Sequence, residues 1–79
     1  MKAIVTVVGK DRTGIIARVS TALYENGINI QDISQTIMED MFTMIMLVDF
    51  RSSETSIQEI TDKLNVTAEE MGLSIHVQR

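Results

Sequence analysis

The sequence lacks cysteine and tryptophan altogether, and its 79 residues include only two phenylalanines and one tyrosine. Without cysteine the chain can form no disulfide, no thiolate metal site and no cysteine nucleophile, which fits a reducing compartment. So few aromatic rings also leave little surface for stacking on nucleic-acid bases. We therefore expect neither a disulfide-bonded scaffold nor a base-stacking protein.

Basic charge is also scarce in this chain. Eleven acidic residues outnumber seven basic ones, which gives a formal net charge of −4, and neither sign forms a long block. Because binding to DNA or RNA needs a basic surface, we expect no direct contact with nucleic acid. A role in gene regulation would then act through another protein.

Long apolar runs are missing as well. The apolar run near the N-terminus is shorter than the core of a signal peptide, and charged residues follow it at once. No segment approaches the length of a membrane-spanning helix. We expect no membrane contact and a cytoplasmic location.

The residues that are present suffice for one small hydrophobic core. The hydrophobic fraction is 44%, and the length predicts a single domain over residues 1–79. A chain of this size buries roughly 60% of its unfolded surface, so we expect modest stability unless a partner covers more. Nothing in the composition calls for a cofactor.

The hydrophobic periodicity predicts six elements in the order β-α-β-β-α-β. The strands are expected at residues 1–8, 29–39, 41–50 and 73–78, and the helices at about 13–26 and from near Ser56 to Met71. Ser56 and Glu59 form a capping box, a polar connector precedes it at residues 51–55, and Gly27 and Gly72 end the two helices. With right-handed crossovers this order predicts an α+β, ferredoxin-like fold, in which two helices cover one face of a four-stranded antiparallel sheet.

The second strand shows a slip in its apolar pattern. Ile28 and Ile30 share one phase of the strand, whereas Ile33 and Ile37 share the other. All four can face one side only if an extra residue is inserted, so we expect a bulge or a twist near residues 31–32. Such a defect is typical of an edge strand. The first strand is apolar on both sides, as in a central strand covered on both faces.

The third strand is apolar on both sides too. Phe42, Met44, Met46, Val48 and Phe50 fall on one side, and a second set falls on the other: Met41, Ile45 and Leu47. Helices can cover only one face of such a sheet, so the second set should form an exposed apolar patch with adaptable methionine. We interpret it as an interface for self-association, by sheet faces or by strand edges; the alternative is that these side chains simply fill the core.

The region most informative for function is the loop between the first strand and the first helix. Gly9 and Gly14 have the spacing of a P-loop, but Ile15 and Ile16 follow where that loop needs Lys and Ser or Thr. The glycines of a dinucleotide fingerprint are missing too. What remains is a helix N-terminus with free N–H groups and a positive dipole end, which suits a small anion such as a carboxylate.

The stretch G-K-D-R-T-G-I-I-A-R-V-S-T-A-L, followed by E-N-G-I-N-I, resembles the start of an ACT domain. This small regulatory module usually has D-R-P-G, two hydrophobic residues and alanine, and later G-hydrophobic-N-I. The second half of the chain agrees in layout rather than in motif. The whole chain is similar to stand-alone ACT proteins of bacteria and archaea, which include regulators connected with glycine metabolism. Thr13 replaces the usual proline, which leaves the loop softer, and its hydroxyl can cap the helix.

The resemblance implies a non-enzymatic sensor, dimeric or larger, that holds a small amino acid between the loop of one subunit and the second strand of another. The implied ligand-binding residues are Gly9, Lys10, Asp11, Arg12, Thr13, Gly14, Ile15, Asn29 and Ile30. Loop N–H groups would hold the carboxylate, and the Asn29 amide can both donate and accept. The alternative is that Asp11 and Thr13 only cap the helix and Asn29 only makes a turn.

Two other functions stay open at this stage. The chain could be an adaptor that binds a regulatory protein through its apolar sheet face without any ligand. It could also be an acylphosphatase-like hydrolase on the same fold, for which Arg12 and Asn29 would supply the phosphate-binding pair. His76, the only histidine, has no partner at metal-ligand spacing, so we expect a surface residue and no metal site.

Overall fold

The computed structural model describes residues 1–51 and 53–79. The order of elements confirms the predicted βαββαβ arrangement, with the following bounds: β1 Lys2–Lys10, α1 Ile15–Glu25, β2 Asn29–Met38, β3 Met41–Asp49, α2 Ile57–Met71 and β4 Leu73–Gln78. Ser52, in the predicted connector, lies outside the described residues. None of the helices in the described part of the chain is long and apolar enough to cross a bilayer.

The four strands form one antiparallel sheet in the order β2-β3-β1-β4. The two inner strands, β1 and β3, pair along their whole length, from Lys2 opposite Asp49 to Lys10 opposite Met41. β2 and β4 are the edges. This arrangement confirms the predicted ferredoxin-like fold and the predicted edge position of β2.

The core lies between one face of the sheet and the two helices. Alternate residues of the inner strands are buried there, and the helices add their own apolar stripes; the buried set includes Ala3, Val5, Val7, Met44, Met46, Val48, Val19, Leu23, Ile60 and Leu64. The opposite face has no helix on it. Ile4, on the central strand β1, is 36% exposed there, so the expectation that β1 is covered on both sides is wrong for the single chain.

The predicted bulge in β2 is present. The register shifts between Ile30, which lies opposite Val48, and Asp32, which lies opposite Leu47. The extra residue, Gln31, moves the rest of the strand to the other phase, so Ile30, Ile33 and Ile37 share the helix-covered side. The slip in the sequence pattern therefore has a structural cause.

The three helix ends that the sequence marked most clearly are confirmed. The Glu59 N–H donates to Ser56 Oγ at 3.1 Å, and the Ser56 N–H donates to Glu59 Oε1 at 3.3 Å, which completes the capping box of α2. α2 ends at Gly72, and the chain leaves α1 through Gly27; both glycines have positive φ. These local signals fix where each helix stops relative to the sheet.

We expect Ser56→Ala to lower the free energy of unfolding by about 1 kcal/mol, because the substitution leaves the Glu59 N–H without its side-chain acceptor. Urea unfolding monitored by circular dichroism measures the change. Glu59→Gln is the matched control, since glutamine can still accept from the Ser56 N–H and should stay close to the wild type. Equal stability of Ser56→Ala and the wild type would contradict this account of the α2 start.

Candidate functional site

The loop that follows β1 is tied to two other parts of the chain. Gly9 lies so close to the start of β4 that a Cβ there would stand 2.6 Å from Leu73 Cδ2 and 3.2 Å from the Gly72 carbonyl oxygen. On the other side, the Asp11 N–H donates to the Asp40 carbonyl at 2.7 Å. The Asp11 N–H is therefore occupied, and the N–H groups free for an anion lie further along, at the start of α1.

The start of α1 differs from the sequence expectation. The N-cap residue is Gly14, with φ 93° and ψ 1°, so the helix begins at Ile15 rather than near Thr13. Among the described residues no side chain caps this end, so the prediction that Thr13 caps the helix is wrong. The reason is the left-handed turn at Gly14, which moves the cap position one residue beyond Thr13 and leaves Thr13 exposed.

The N-terminus of α1 consequently has backbone N–H groups without a capping side chain, at the positive end of the helix dipole. The first intrahelical bond in this region runs from the Arg18 N–H to the Gly14 carbonyl at 2.9 Å, and the first turn holds no acidic residue. The N–H groups that precede Arg18 have no acceptor within the helix. Together with the helix dipole they can hold one carboxylate group.

Arg12 points away from this helix end. Its Nη1 donates to the Met71 carbonyl at 3.4 Å, at the C-terminus of α2, where a cation meets the negative end of that helix. A second link between the helices lies nearby, where Arg18 Nη2 and Glu70 Oε1 are 2.7 Å apart. Arg12 therefore ties the loop to the end of α2, while its neighbours Thr13, Gly14 and Ile15 lie at the start of α1.

Asn29 and Ile30 lie at the start of β2, at the opposite end of the sheet. Asn29 pairs with Asp49, which in turn pairs with Lys2 at the first position of β1. Asn29 and Ile30 line a shallow pocket together with four residues that were not among the predicted site residues: Ser20, Thr21, Tyr24 and Ile28. The four-residue spacing of Ser20 and Tyr24, on one side of α1, was the signal available for it.

One chain does not bring the two halves of the expected site together. Across the sheet, Asn29 lies in the same row as Lys2, the first residue of β1, whereas the loop follows Lys10, the last residue of β1. Eight residues of extended strand separate these two levels, which is roughly 26 Å at about 3.3 Å per residue. Arg12 lies in the loop beyond Lys10, at the other end of the sheet from Asn29, so a single chain does not assemble the phosphate-binding pair that an acylphosphatase-like hydrolase would need.

The remaining polar candidates stay apart from one another. His76 is exposed on β4. Within residues 1–51 and 53–79, no group of three or more His, Asp or Glu side chains is placed to hold a metal ion.

Two exposed apolar surfaces remain. The first, which we call the β2 flank, runs along the edge strand and the adjacent side of α1; it consists of Ile16, Tyr24, Ile33 and Ile37, exposed by 40, 81, 42 and 47%. The second is the helix-free side of the sheet, where the sequence analysis expected Met41, Ile45 and Leu47. Met41 and Ile45 are exposed there by 47% and 46%, whereas Leu47 is less exposed and falls in the intermediate range.

Comparisons with known proteins agree with this architecture. The sequence model described as ACT domain matches residues 2–78. A UPF0237 protein from Clostridium acetobutylicum is 53% identical over 78 residues, which cover 99% of this chain and 88% of that protein. The solved structure of an ACT domain protein from Streptococcus pneumoniae is 38% identical with a TM-score of 0.86, covering 99% of this chain and 88% of the other.

A larger regulatory protein contains the same fold. The regulatory subunit of aspartate kinase from Thermus thermophilus is 26% identical to this chain, with a TM-score of 0.75. The similarity covers 98% of this chain and 50% of that subunit. The protein is thus similar in fold to a domain of a known regulatory subunit.

We expect Gly14→Ala to lower the free energy of unfolding by about 1–2 kcal/mol, because alanine pays the steric cost of the left-handed conformation that Gly14 adopts. No heavy atom lies within 4 Å of a Cβ at this position, so the loss reports backbone strain and not a clash. Gly14→Asn is the control, since asparagine tolerates this conformation and can also cap a helix. If urea unfolding shows alanine to be as stable as asparagine, the left-handed N-cap is refuted.

Proposed function

The chain belongs to the ACT-domain family, a family of regulatory ligand-binding domains, and on that premise we propose that it is a non-enzymatic amino acid sensor. Two copies pair through their β2 edges and hold a small amino acid between the α1 N-terminus of one copy and Asn29 of the other. Occupancy of the site is then read by a partner protein.

The observation that carries this proposal is the separation of the two half-sites by the length of the sheet. Antiparallel pairing of β2 with a second β2 reverses the direction of the partner strand. The Asn29 end of one strand then lies beside the Met38 end of the other, and Met38 shares its level with Lys10, where the loop begins. A two-fold axis through the middle of β2 would therefore complete two equivalent sites.

The exposed side chains along this edge support the same arrangement. β2 is an edge strand, so one row of its backbone N–H and C=O groups is free to pair with another chain. The apolar residues of the β2 flank border that row on its helix side. Ile16 stands near the loop end of α1 and Tyr24 near the Asn29 end, so pairing would bring Ile16 of one copy toward Tyr24 of the other.

The chemistry at each end suits an amino acid. The uncapped N–H groups at the start of α1 offer hydrogen bonds and a positive dipole to the α-carboxylate. The Asn29 amide of the partner copy can accept from the α-amino group and donate to the carboxylate. Arg12 stabilises the loop through the Met71 carbonyl.

The regulatory output follows from linkage. A ligand that binds only the paired form stabilises it by RT ln(1 + [L]/Kd), and that change in the population of one assembly is what a partner protein can recognise. The ligand-free adaptor is the second candidate. The exposed helix-free face of the sheet favours it, since a sheet face can bind protein without any small molecule.

We expect one or two of the common amino acids to raise the thermal midpoint of the wild type. At a concentration of about ten times Kd, binding adds about 1.4 kcal/mol, which corresponds to a rise of roughly 5–10 °C. Asn29→Ala should abolish the rise because it removes the amide at the β2 half of the site. Asn65→Ala, an exposed asparagine on α2, is the matched control and should keep it. If none of the amino acids raises the thermal midpoint, the sensor proposal is contradicted and the adaptor is favoured.

We expect Thr13→Glu to abolish the response while leaving the protein folded, and to raise its ligand-free stability by a few tenths of a kcal/mol, because a carboxylate near the α1 N-terminus competes with the ligand and favours the dipole. Thr13→Gln, which has the same shape without the charge, should still respond. A Thr13→Glu variant that binds as tightly as the wild type would exclude the α1 N-terminus as the carboxylate site.

Mixing two inactive variants tests whether the site is shared between copies. Thr13→Glu has an intact Asn29 and Asn29→Ala has an intact loop, so a mixed dimer contains one complete site and one doubly altered site. After exchange of an equimolar mixture we expect binding at about a quarter of the wild-type sites, measured by calorimetry. Binding that stays at zero in a mixture shown to exchange would contradict a shared site.

A further inference from the structure

Asn26, the C-cap residue of α1, is held by hydrogen bonds that reach three parts of the chain. Its own Nδ2 donates to the Ala22 carbonyl at 2.7 Å, and Lys63 Nζ on α2 donates to its Oδ1 at 2.7 Å. The Ser53 hydroxyl, in the connector between β3 and α2, donates to its carbonyl oxygen at 2.6 Å. Thr55 Oγ1, in the same connector, donates to Oδ1 at 3.4 Å. Both ends of the Asn26 carboxamide are therefore occupied in the folded chain.

Gly27 follows Asn26 directly, and this pair of residues has a chemical reactivity of its own. The carboxamide carbon of an asparagine is open to attack by the backbone nitrogen of the next residue. Glycine crowds that nitrogen least, because it has no Cβ and allows the widest range of backbone angles. The two other asparagines of the sequence, Asn29 and Asn65, each precede a β-branched residue, whose side chain shields the nitrogen. Asn26 is therefore the asparagine with the greatest intrinsic reactivity in this chain.

The reaction converts asparagine into an acidic residue without a cofactor. The Gly27 nitrogen forms a bond to Asn26 Cγ and gives up its proton, the bond from Cγ to Nδ2 breaks, and ammonia leaves with that proton. The product is a five-membered succinimide ring. Water then opens the ring: aspartate results when the new bond to Cγ breaks, and isoaspartate results when the original peptide bond breaks. Water is the only co-reactant, and no atom is oxidised or reduced.

The fold keeps the reacting groups of this pair apart. The bond to Ala22 directs the Asn26 carboxamide back along α1, whereas the Gly27 nitrogen belongs to the turn that leads towards β2. The Gly27 N–H donates to the Tyr24 carbonyl at 3.0 Å, so its proton is held as well. The Asn26 N–H donates to the Leu23 carbonyl at 3.2 Å, which fixes the backbone at this turn. Attack on Cγ requires these bonds to break first.

We propose that Asn26 is a modification site whose deamidation depends on the state of the fold. The reaction is suppressed while α1, α2 and the β3–α2 connector hold the residue, and it proceeds when this end of the molecule opens. The opening does not have to be global, because helix ends and loops open more easily than the core. Gly27 is exposed, so water reaches the ring once it forms. The inference concerns a single chain and is independent of the amino acid site.

The two products change this turn in different ways. Aspartate keeps oxygen acceptors for Lys63 and places a carboxylate beside that ammonium group, although it loses the donor to the Ala22 carbonyl. Isoaspartate inserts a methylene group into the main chain immediately before Gly27. The Gly27 and Ile28 N–H groups both bond back to carbonyls of α1, at 3.0 Å each, and the longer main chain disturbs both bonds. Isoaspartate therefore leaves a lasting mark on a chain that has opened.

Mass spectrometry of peptides from the full chain tests the proposal, after incubation at slightly alkaline pH in buffer and in concentrated urea with no amino acid added. In urea, Asn26 should deamidate faster than Asn29 and Asn65, which serve as internal controls. In buffer, Asn26 should deamidate at least about tenfold more slowly than in urea, because the reaction then waits for a local opening. Equal rates at Asn26 in the two solvents overturn the proposal, as does a rate in urea no faster than at Asn29.

Ser53→Ala separates the contribution of the hydrogen bonds around Asn26 from that of the fold as a whole. It removes the 2.6 Å bond to the Asn26 carbonyl and should raise the rate in buffer about fivefold, the effect expected for one hydrogen bond, with no change in urea. Ser20→Ala is the matched control, since it removes a hydroxyl that donates to the Ala17 carbonyl, and it should match the wild type. If Ser53→Ala does not fold by circular dichroism, Thr55→Val replaces it. A rate in buffer equal to that of the wild type overturns the proposal.

Refolding of the separated products tests the lasting effect. The isoaspartate product should melt at a lower temperature than the wild type after urea is removed, whereas the Asn26→Asp variant should fold and lie closer to the wild type. An isoaspartate product that regains the thermal midpoint of the wild type contradicts the lasting mark. Because no amino acid is present in any of these experiments, their outcome is separate from the success or failure of the sensor.

Discussion

The constraint that shapes this molecule is that two helices can cover only one face of a four-stranded sheet. The covered face holds the core, in which Met44, Met46 and Val48 pack under both helices with almost no exposure. The other face and the β2 edge are left without partners although both carry apolar side chains. A sensor needs a second copy at the β2 edge, whereas an adaptor needs a partner at the helix-free face.

Much of the fold was predictable because its signals are local. The capping box at Ser56 and Glu59 marks the start of α2 by side-chain chemistry alone. The phase slip between Ile30 and Ile33 required an inserted residue, and the structure has that residue at Gln31. The alternation in β3 likewise divided its residues correctly between the covered and the helix-free face, since a strand has only two sides.

The candidate site was less predictable because it depends on backbone conformation and on topology. Nothing in the sequence distinguished Thr13 from Gly14 as the N-cap, since threonine is the better capping side chain; the left-handed turn at Gly14 decides it. Arg12 finds its partner at Met71, far away in sequence. The distance between the loop and Asn29 appears only once the strand register is known, and it is the reason that the proposed site needs two copies.

The most direct test of a site shared between copies is cross-linking from Thr13 of one chain to Asn29 of another. Because the wild type has no cysteine, Thr13→Cys with Asn29→Cys introduces the only two thiols, and the sheet holds them too far apart within one chain for a short bifunctional maleimide to join. The account predicts a two-chain product on a denaturing gel, and little of it from either single variant. A double variant that stays at one chain, under conditions where sedimentation shows it to be paired, would contradict the account.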